Sequence, residues 1–193
     1  MLRASAYVVG AEHGPGATLL EIVRGLGFAS TSRFTSLAVA DQQHSSLAFF
    51  LFSAVDDVET LRPIAEAVRA YPSRKLRFSP LIYFSQNPSL DAIRQCINMG
   101  FDDVITLPFT QARVHERIQR QIGRPLAYFK TASYFGPDRR TSLSAGNRGQ
   151  GGGGSYRRFE ILRQPTGISI LSDESYTPLP AEADSSLAPS YYL

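Results

Sequence analysis

Tyr134-Phe135-Gly136-Pro137-Asp138-Arg139-Arg140 holds the densest set of groups in this chain able to recognise a planar, polar ligand. Arginine forks onto O6 and N7 of guanine, and a carboxylate accepts from the N–H groups on the opposite edge of the base. Gly136 lets the backbone approach a ligand closely, and Pro137 fixes φ, so less ordering entropy is lost on binding. Aromatic rings and guanidinium planes stack on purine faces. Charge is concentrated around the same stretch. Residues 126–163 carry seven basic side chains (Lys130, Arg139, Arg140, Arg148, Arg157, Arg158, Arg163) against Asp138 and Glu160, whereas residues 1–125 carry 13 basic against 11 acidic. Such an excess points to an anionic partner, and the preference for arginine over lysine points to planar recognition. Gly-Pro-Asp-Arg is also a plain turn sequence, whose arginines can be solvated or salt-bridged to the domain.

No other constellation suggests chemistry. His13, His44 and His115 lie in unrelated elements without metal-ligand spacing. The single cysteine, Cys96, excludes an internal disulfide and a cysteine-based zinc cluster, and is expected to pack at the edge of a helix face without becoming a thiolate. Gly14-Pro15-Gly16 lacks the Lys-Ser/Thr ending of a phosphate loop and reads as a turn into a helix. The residues therefore argue against an enzyme, a metal and a cofactor. With no run of about 18 apolar residues and no secretory leader, a cytoplasmic protein without a membrane segment is expected.

The first 125 residues alternate strand-like and helix-like patterns. Strands are expected at Tyr7-Val8-Val9, Phe34 to Val39, Leu47 to Phe52, Pro80 to Ser85 and Asp103 to Leu107. Helical stripes run through Leu19, Leu20, Ile22, Val23 and Leu26; through Val58, Leu61, Ile64, Ala65 and Val68; through Leu90, Ile93 and Ile97; and through Val114, Ile118 and Ile122. Asp56 or Asp57 would cap the second of these, and Asn87, with Pro88 following it, the third. Residues 40–46 are too few for a full helix, so the second crossover is expected to be short or missing. Five strands alternating with helices imply an α/β, flavodoxin-like parallel sheet of order 2-1-3-4-5. Three regions follow: a domain over 1–125, a basic arginine-rich segment over 126–163, and an acidic Pro/Ser-rich tail over 164–193. The Ser/Gly-rich stretch 141–155 reads as a linker, and Ile168, Ile170 and Leu171 as one short strand or anchor; most of the extension is expected to be disordered without a partner.

Gly100-Phe101-Asp102-Asp103-Val104-Ile105-Thr106-Leu107-Pro108-Phe109, after an apolar strand ending at Ser85, resembles the second half of a response-regulator receiver domain. That family carries Gly-Ala-Asp-Asp, two or three residues, then Lys-Pro-Phe. The resemblance implies a receiver (CheY-like) fold over residues 1–125, but one without the parts for phosphoryl transfer. The magnesium-binding acidic pair falls on Gly10 and Ala11, the acceptor on Phe52 or Ser53, and the lysine on Leu107; Ser85 alone remains. Magnesium requires hard oxygen ligands, so chemistry at the usual site is not expected. Asp56 and Asp57 read as capping acids, not as displaced acceptors.

A receiver-like domain followed by Tyr-Phe-Gly-Pro-Asp-Arg-Arg resembles the CheY-like cyclic-di-GMP effectors of the Cle type. On that resemblance Tyr134, Gly136, Pro137, Asp138, Arg139 and Arg140 bind cyclic di-GMP, with Arg157 and Arg158 as further contacts. Thr141 stands where family members often have a third arginine. The resemblance also implies a protein partner, such as a flagellar switch component or another motility or adhesion protein, docked on the face made by the fourth helix, fifth strand and fifth helix. Two alternatives remain: a pseudo-receiver that engages a kinase or scaffold constitutively, and a weak RNA-binding module.

Overall fold

The computed structural model describes residues 2–44, 46–86, 89–139 and 154–178. The chain runs β1 (Leu2–Val9), α1 (Pro15–Arg24), β2 (Phe28–Arg33), α2 (Leu37–Gln42), β3 (Ala48–Phe52), a 3₁₀ turn (Val58–Leu61) into α3 (Arg62–Ala70), and α4 (Arg74–Arg77). It continues through β4 (Leu81–Ser85), α5 (Leu90–Asn98), β5 (Asp103–Thr106) and α6 (Gln111–Gln119) to β6 (Pro125–Lys130), β7 (Phe135–Pro137), β8 (Tyr156–Gln164) and β9 (Gly167–Tyr176). The first five strands form a parallel sheet of order β2-β1-β3-β4-β5, the expected flavodoxin-like, receiver-like order.

The apolar runs become the inner strands because helices cover both faces of the sheet. All five residues of β3 and of β4 are buried. On one face Leu19, Leu20 and Val23 of α1 pack with Val114 and Ile118 of α6. On the other, Ala65 and Val68 of α3, Leu76 of α4 and Cys96 of α5 close the second core.

Residues 125–139 and 154–176 depart from the expected disordered extension. Strands β6 to β9 form a second, antiparallel sheet of order β7-β6-β8-β9. Its inner residues Tyr128, Phe159 and Ile161 bury themselves against Phe78, which ends α4. The Phe78 ring makes edge-on contacts with Tyr128, Phe135 and Phe159 at 5.3, 5.5 and 5.4 Å. This burial offsets the ordering entropy that a polar composition alone would not overcome. The sheet reaches the parallel sheet at Phe78, Gly100 and Ser46, residues that precede β4, β5 and β3. It therefore covers the amino ends of the parallel strands, opposite the carboxyl ends where open α/β sheets bind ligands.

Three local expectations are corrected, while the second crossover is short as expected. The second strand is Phe28–Arg33, not Phe34 to Val39. It is an edge strand with exposed polar residues and needs no apolar run. Ser36 caps the short helix α2 by accepting from the Val39 amide at 3.3 Å. Ser89, whose hydroxyl accepts from Ala92 N at 3.0 Å, caps α5; Asn87 and Pro88 lie outside the described residues. Leu90 is 71% exposed, and the buried residue of α5 is Cys96. Arg140, Arg148, residues 151–153 of the glycine run and residues 179–193 also lie outside the described residues.

Candidate functional site

The Tyr134–Arg139 stretch is β7 and its flanks, at the edge of the second sheet beside the turn between α5 and β5. Phe135 to Pro137 pair with Lys130 to Tyr128, and the Asp138 amide donates to Ala127 O at 2.8 Å. Gly136 lies back to back with Gly100: a β-carbon on Gly136 would fall 2.6 Å from the Gly100 Cα, and one on Gly100 would fall 2.3 Å from Phe135 O. Gly100 also has φ +81°, which a side chain disfavours. The Tyr134 hydroxyl donates to Pro137 O at 3.0 Å. Arg139 donates through Nη2 to Phe101 O at 2.7 Å and Asp102 O at 3.1 Å. The motif thus grips the receiver-like domain at residues 100–102.

The outlying arginines divide. Arg158 lies 3.9 Å from the Asp138 carboxylate, whose side chain is 5% exposed. Arg157 forks onto Asp173 of β9 at 2.6 and 2.5 Å. Arg163, counted among the basic residues of a loose segment, is fully buried. The expected loose arginine segment is therefore corrected for Arg163, which is buried against Asp102, whereas Arg157 pairs with Asp173 and keeps an exposed side chain.

Sequence reasoning missed the group around Asp102, the first acid of Gly-Phe-Asp-Asp. Its side chain is 3% exposed and meets Arg69 of α3 at 2.7 Å, Arg163 of β8 at 2.7 Å and the hydroxyl of Tyr128. Arg163 further donates to Phe78 O at 2.8 Å, Gln121 Oε1 at 3.1 Å and the Tyr128 oxygen; Arg69 donates to Gly100 O at 2.6 Å and Ser79 O at 2.9 Å. Burial pushes the Asp102 carboxyl upward, but Arg163, Arg69 and the Tyr128 hydrogen bond outweigh it and hold the group below the usual carboxylate range. Burial is also the main cause that pushes the Tyr128 hydroxyl well above its ordinary value. A signal was present in the sequence. Arg69 follows Ala65 and Val68 by four and one on the apolar stripe, and Arg163 continues the two-residue alternation Phe159, Ile161.

At the carboxyl ends of the strands lies a cavity of about 270 Å³ lined by Pro15, Asp56, Val58, Tyr83, Ser85 and Ser89 among others. Ser53, at the end of β3, is buried beside Gly10: a β-carbon on Gly10 would fall 2.1 Å from the Ser53 hydroxyl oxygen. Asp57 is not part of this site; it caps the 3₁₀ turn by accepting from Glu59 N at 3.0 Å. Among the described residues no group of three or more His, Cys, Asp or Glu is placed to hold a metal ion. Among them, too, no helix is long and apolar enough to cross a membrane.

Strand order and site together define a receiver-like α/β module whose amino-terminal strand ends are covered by a second sheet. No family model matches the chain, and no curated protein matches it. Solved structures do. A pilus assembly-related protein from Burkholderia pseudomallei K96243 is 16% identical, with a TM-score of 0.45 over 62% of this chain and 89% of that one. A CheY-like protein (tadZ) from Pseudomonas aeruginosa PAO1 is 15% identical, with a TM-score of 0.45 over 61% and 98%. The receiver domain of a sensor histidine kinase from the same organism, crystallised with magnesium in its active-site cleft, is 19% identical, with a TM-score of 0.44 over 60% and 95%. These are similarities of chain trace; the fold assignment rests on the strand order itself.

Proposed function

We propose that this protein is a non-catalytic receiver-like signalling adaptor. It binds cyclic di-GMP through the Tyr134–Arg140 stretch with Arg157 and Arg158, and docks a protein partner on the face made by α5, β5 and α6. The supporting observation is the double hydrogen bond from Arg139 to Phe101 O and Asp102 O, in the turn that leads into β5. A ligand that redirects Arg139 or the neighbouring Asp138 acts on the strand at the centre of that docking face. Phosphoryl control is replaced, because on the receiver resemblance Gly10 and Ala11 stand at the positions of the magnesium-binding acids, Phe52 or Ser53 at the acceptor and Leu107 at the lysine. Those residues supply neither the carboxylates that hold magnesium nor the cation that pairs with a phosphoryl group.

Calorimetry with cyclic di-GMP, using GTP and cyclic di-AMP as controls, tests the reading. Specific binding is expected, lost in Arg139→Ala and Asp138→Ala and kept in Ser53→Ala, with acetyl phosphate without effect. Absence of heat at high micromolar ligand removes it. A second reading draws on the packing of β7: a constitutive protein-interaction module, in which Gly136, Tyr134 and Arg139 serve to clamp the second sheet to residues 100–102. Under that reading Arg139→Ala lowers the melting temperature and no guanine nucleotide raises it. RNA binding has less support, since Arg163 is buried against Asp102 and lost to the basic segment; it would show as affinity that falls steeply with salt.

A further inference from the structure

The inner face of the second sheet packs on Phe78 as far as Tyr128 and Phe159. Past them it continues into solvent as a cross-strand row of Lys130, Arg157 and Ser175, from β6, β8 and β9, all three exposed. Lys130 and Arg157 stand directly opposite each other, a placement of like charges that weakens a strand pair. Arg77, the last residue of α4, adds a third cation. The hydrogen bonds from Arg157 and the nearby charge of Arg77 together hold the Asp173 carboxyl below its usual range. Each cation lies over one ring of the aromatic cluster. Lys130 Nζ is 5.9 Å from the Phe135 centroid, and the Arg157 and Arg77 guanidiniums are 4.9 and 5.6 Å from those of Phe159 and Phe78. The three ring centroids are themselves 5.4, 5.5 and 5.8 Å apart.

Three cations therefore share one carboxylate. Arg157 commits Nε and Nη2 to Asp173. Among the described residues Lys130 meets no carboxylate, and Nε of Arg77 is buried without a hydrogen-bond partner. Glu66 shares the wall of a cavity of about 410 Å³ with Lys130, but its carboxylate takes Arg62 at 3.3 Å. Glu160 and Glu174 alternate onto the opposite face of the sheet.

We infer that this rim is a binding site for a phosphate group, free or carried by a small molecule, with Arg77 and Arg157 donating N–H groups and Lys130 supplying a point charge. Charge selects the occupant: three cations against Asp173 leave an excess that matches a phosphate monoester, which carries about −1.5 to −2 at neutral pH. Guanidinium N–H groups suit phosphate oxygens in geometry as well as in charge. The rings beneath hold the cations in place, so less ordering entropy is lost when the anion arrives. A nucleic-acid strand needs a basic surface that continues along successive phosphates, whereas these cations gather over three touching rings. Arg157 and Arg158 are successive residues of β8 and face opposite sides. The site therefore uses Arg157 without the Tyr134–Arg140 stretch, and it stands independently of the cyclic-di-GMP reading.

The full-length chain is titrated with inorganic phosphate and with 5′-AMP, read by the melting temperature and by ³¹P line width, against sodium chloride of matched ionic strength. Phosphate is expected to raise the melting temperature above the chloride control. Lys130→Gln and Arg77→Gln are each expected to weaken binding roughly tenfold, the order for one hydrogen bond to a charged group. Arg94→Gln, on the exposed face of α5, is expected to leave it unchanged. Asp173→Asn removes the competing carboxylate and is expected to tighten binding, a gain that misfolding cannot produce. Binding of phosphate without 5′-AMP assigns the site to the free anion, and binding of both assigns it to a phosphomonoester; either supports the site. Equal melting in phosphate and in matched chloride overturns it, as does phosphate affinity unaltered in both Lys130→Gln and Arg77→Gln. Poly(U) that displaces phosphate with a salt slope of several phosphates also overturns it, in favour of a nucleic-acid surface. Cyclic di-GMP titrated in parallel keeps the two readings apart: its failure to bind while phosphate binds removes only the dinucleotide reading, and the reverse removes only this site.

Discussion

Arg163 of β8 and Asp102 at the entry to β5 meet at 2.7 Å with their side chains 0% and 3% exposed. The contact joins residues 61 positions apart and ties the second sheet to the receiver-like domain through a charge that neither can expose without cost. Arg69 and Tyr128 complete the enclosure of Asp102. Removing one partner of a buried pair leaves an uncompensated charge and costs about 3–5 kcal/mol. Asp102→Ala, which strands two guanidiniums, is therefore expected to lower the urea midpoint by that order. Arg163→Met, which leaves Asp102 still paired with Arg69, is expected to cost less. Equal losses for the two variants would mean that Arg69 does not share the load.

Stability is expected to fall with acid in a window set by Asp102. Its folded carboxyl is held below the ordinary range, so at pH values near and below about 4 the unfolded chain binds the proton more readily than the folded one. The stabilisation is present above the unfolded value and is lost as pH falls through the folded one. Glu59 and Asp173 are also lowered, by Arg62 and Arg157, but these pairs are exposed and screened by salt. Urea midpoints between pH 6 and 2.5 at high salt should keep most of the Asp102 slope. Asp102→Asn should flatten it.

Gly100 and Gly136 are expected to be intolerant of a methyl group for different reasons. Gly100→Ala places a β-carbon 2.3 Å from a carbonyl at φ +81°, where the backbone alone costs about 1–2 kcal/mol. Gly136→Ala meets the Gly100 Cα and the Tyr134 hydroxyl, each at 2.6 Å. Both should detach β7, read as faster amide hydrogen exchange at Phe135 and Pro137's strand partner Tyr128. Exchange in β3 and β4 should be unchanged.

Cys96 is fully buried, and burial is the main cause that pushes its thiol up to about 12. A thiol in that state is a poor nucleophile. No reaction with a disulfide reagent is expected in the native protein at pH 8, and full reaction after denaturation. Labelling at intermediate urea would therefore report opening of the face that α3, α4 and α5 cover.

Much of the parallel sheet was legible because its signals are local. Continuous apolar runs at Ala48–Phe52 and Leu81–Ser85 mark strands covered on both faces, and glycines at 100 and 123, with φ +81° and +77°, mark where helices stop. β2 escaped because an edge strand with one wet face does not need such a run. The same limit hid the second sheet. Its strands are polar on one side, and the residues that make them worth ordering (Phe78, Asp102, Gln121) belong to the other domain. Sequence alone determined that the chain carries a receiver-like order of elements and an arginine-bearing stretch after it. Only the tertiary structure decided which of those arginines are committed to buried carboxylates and which face outward, because partner choice depends on long-range register that no local pattern encodes.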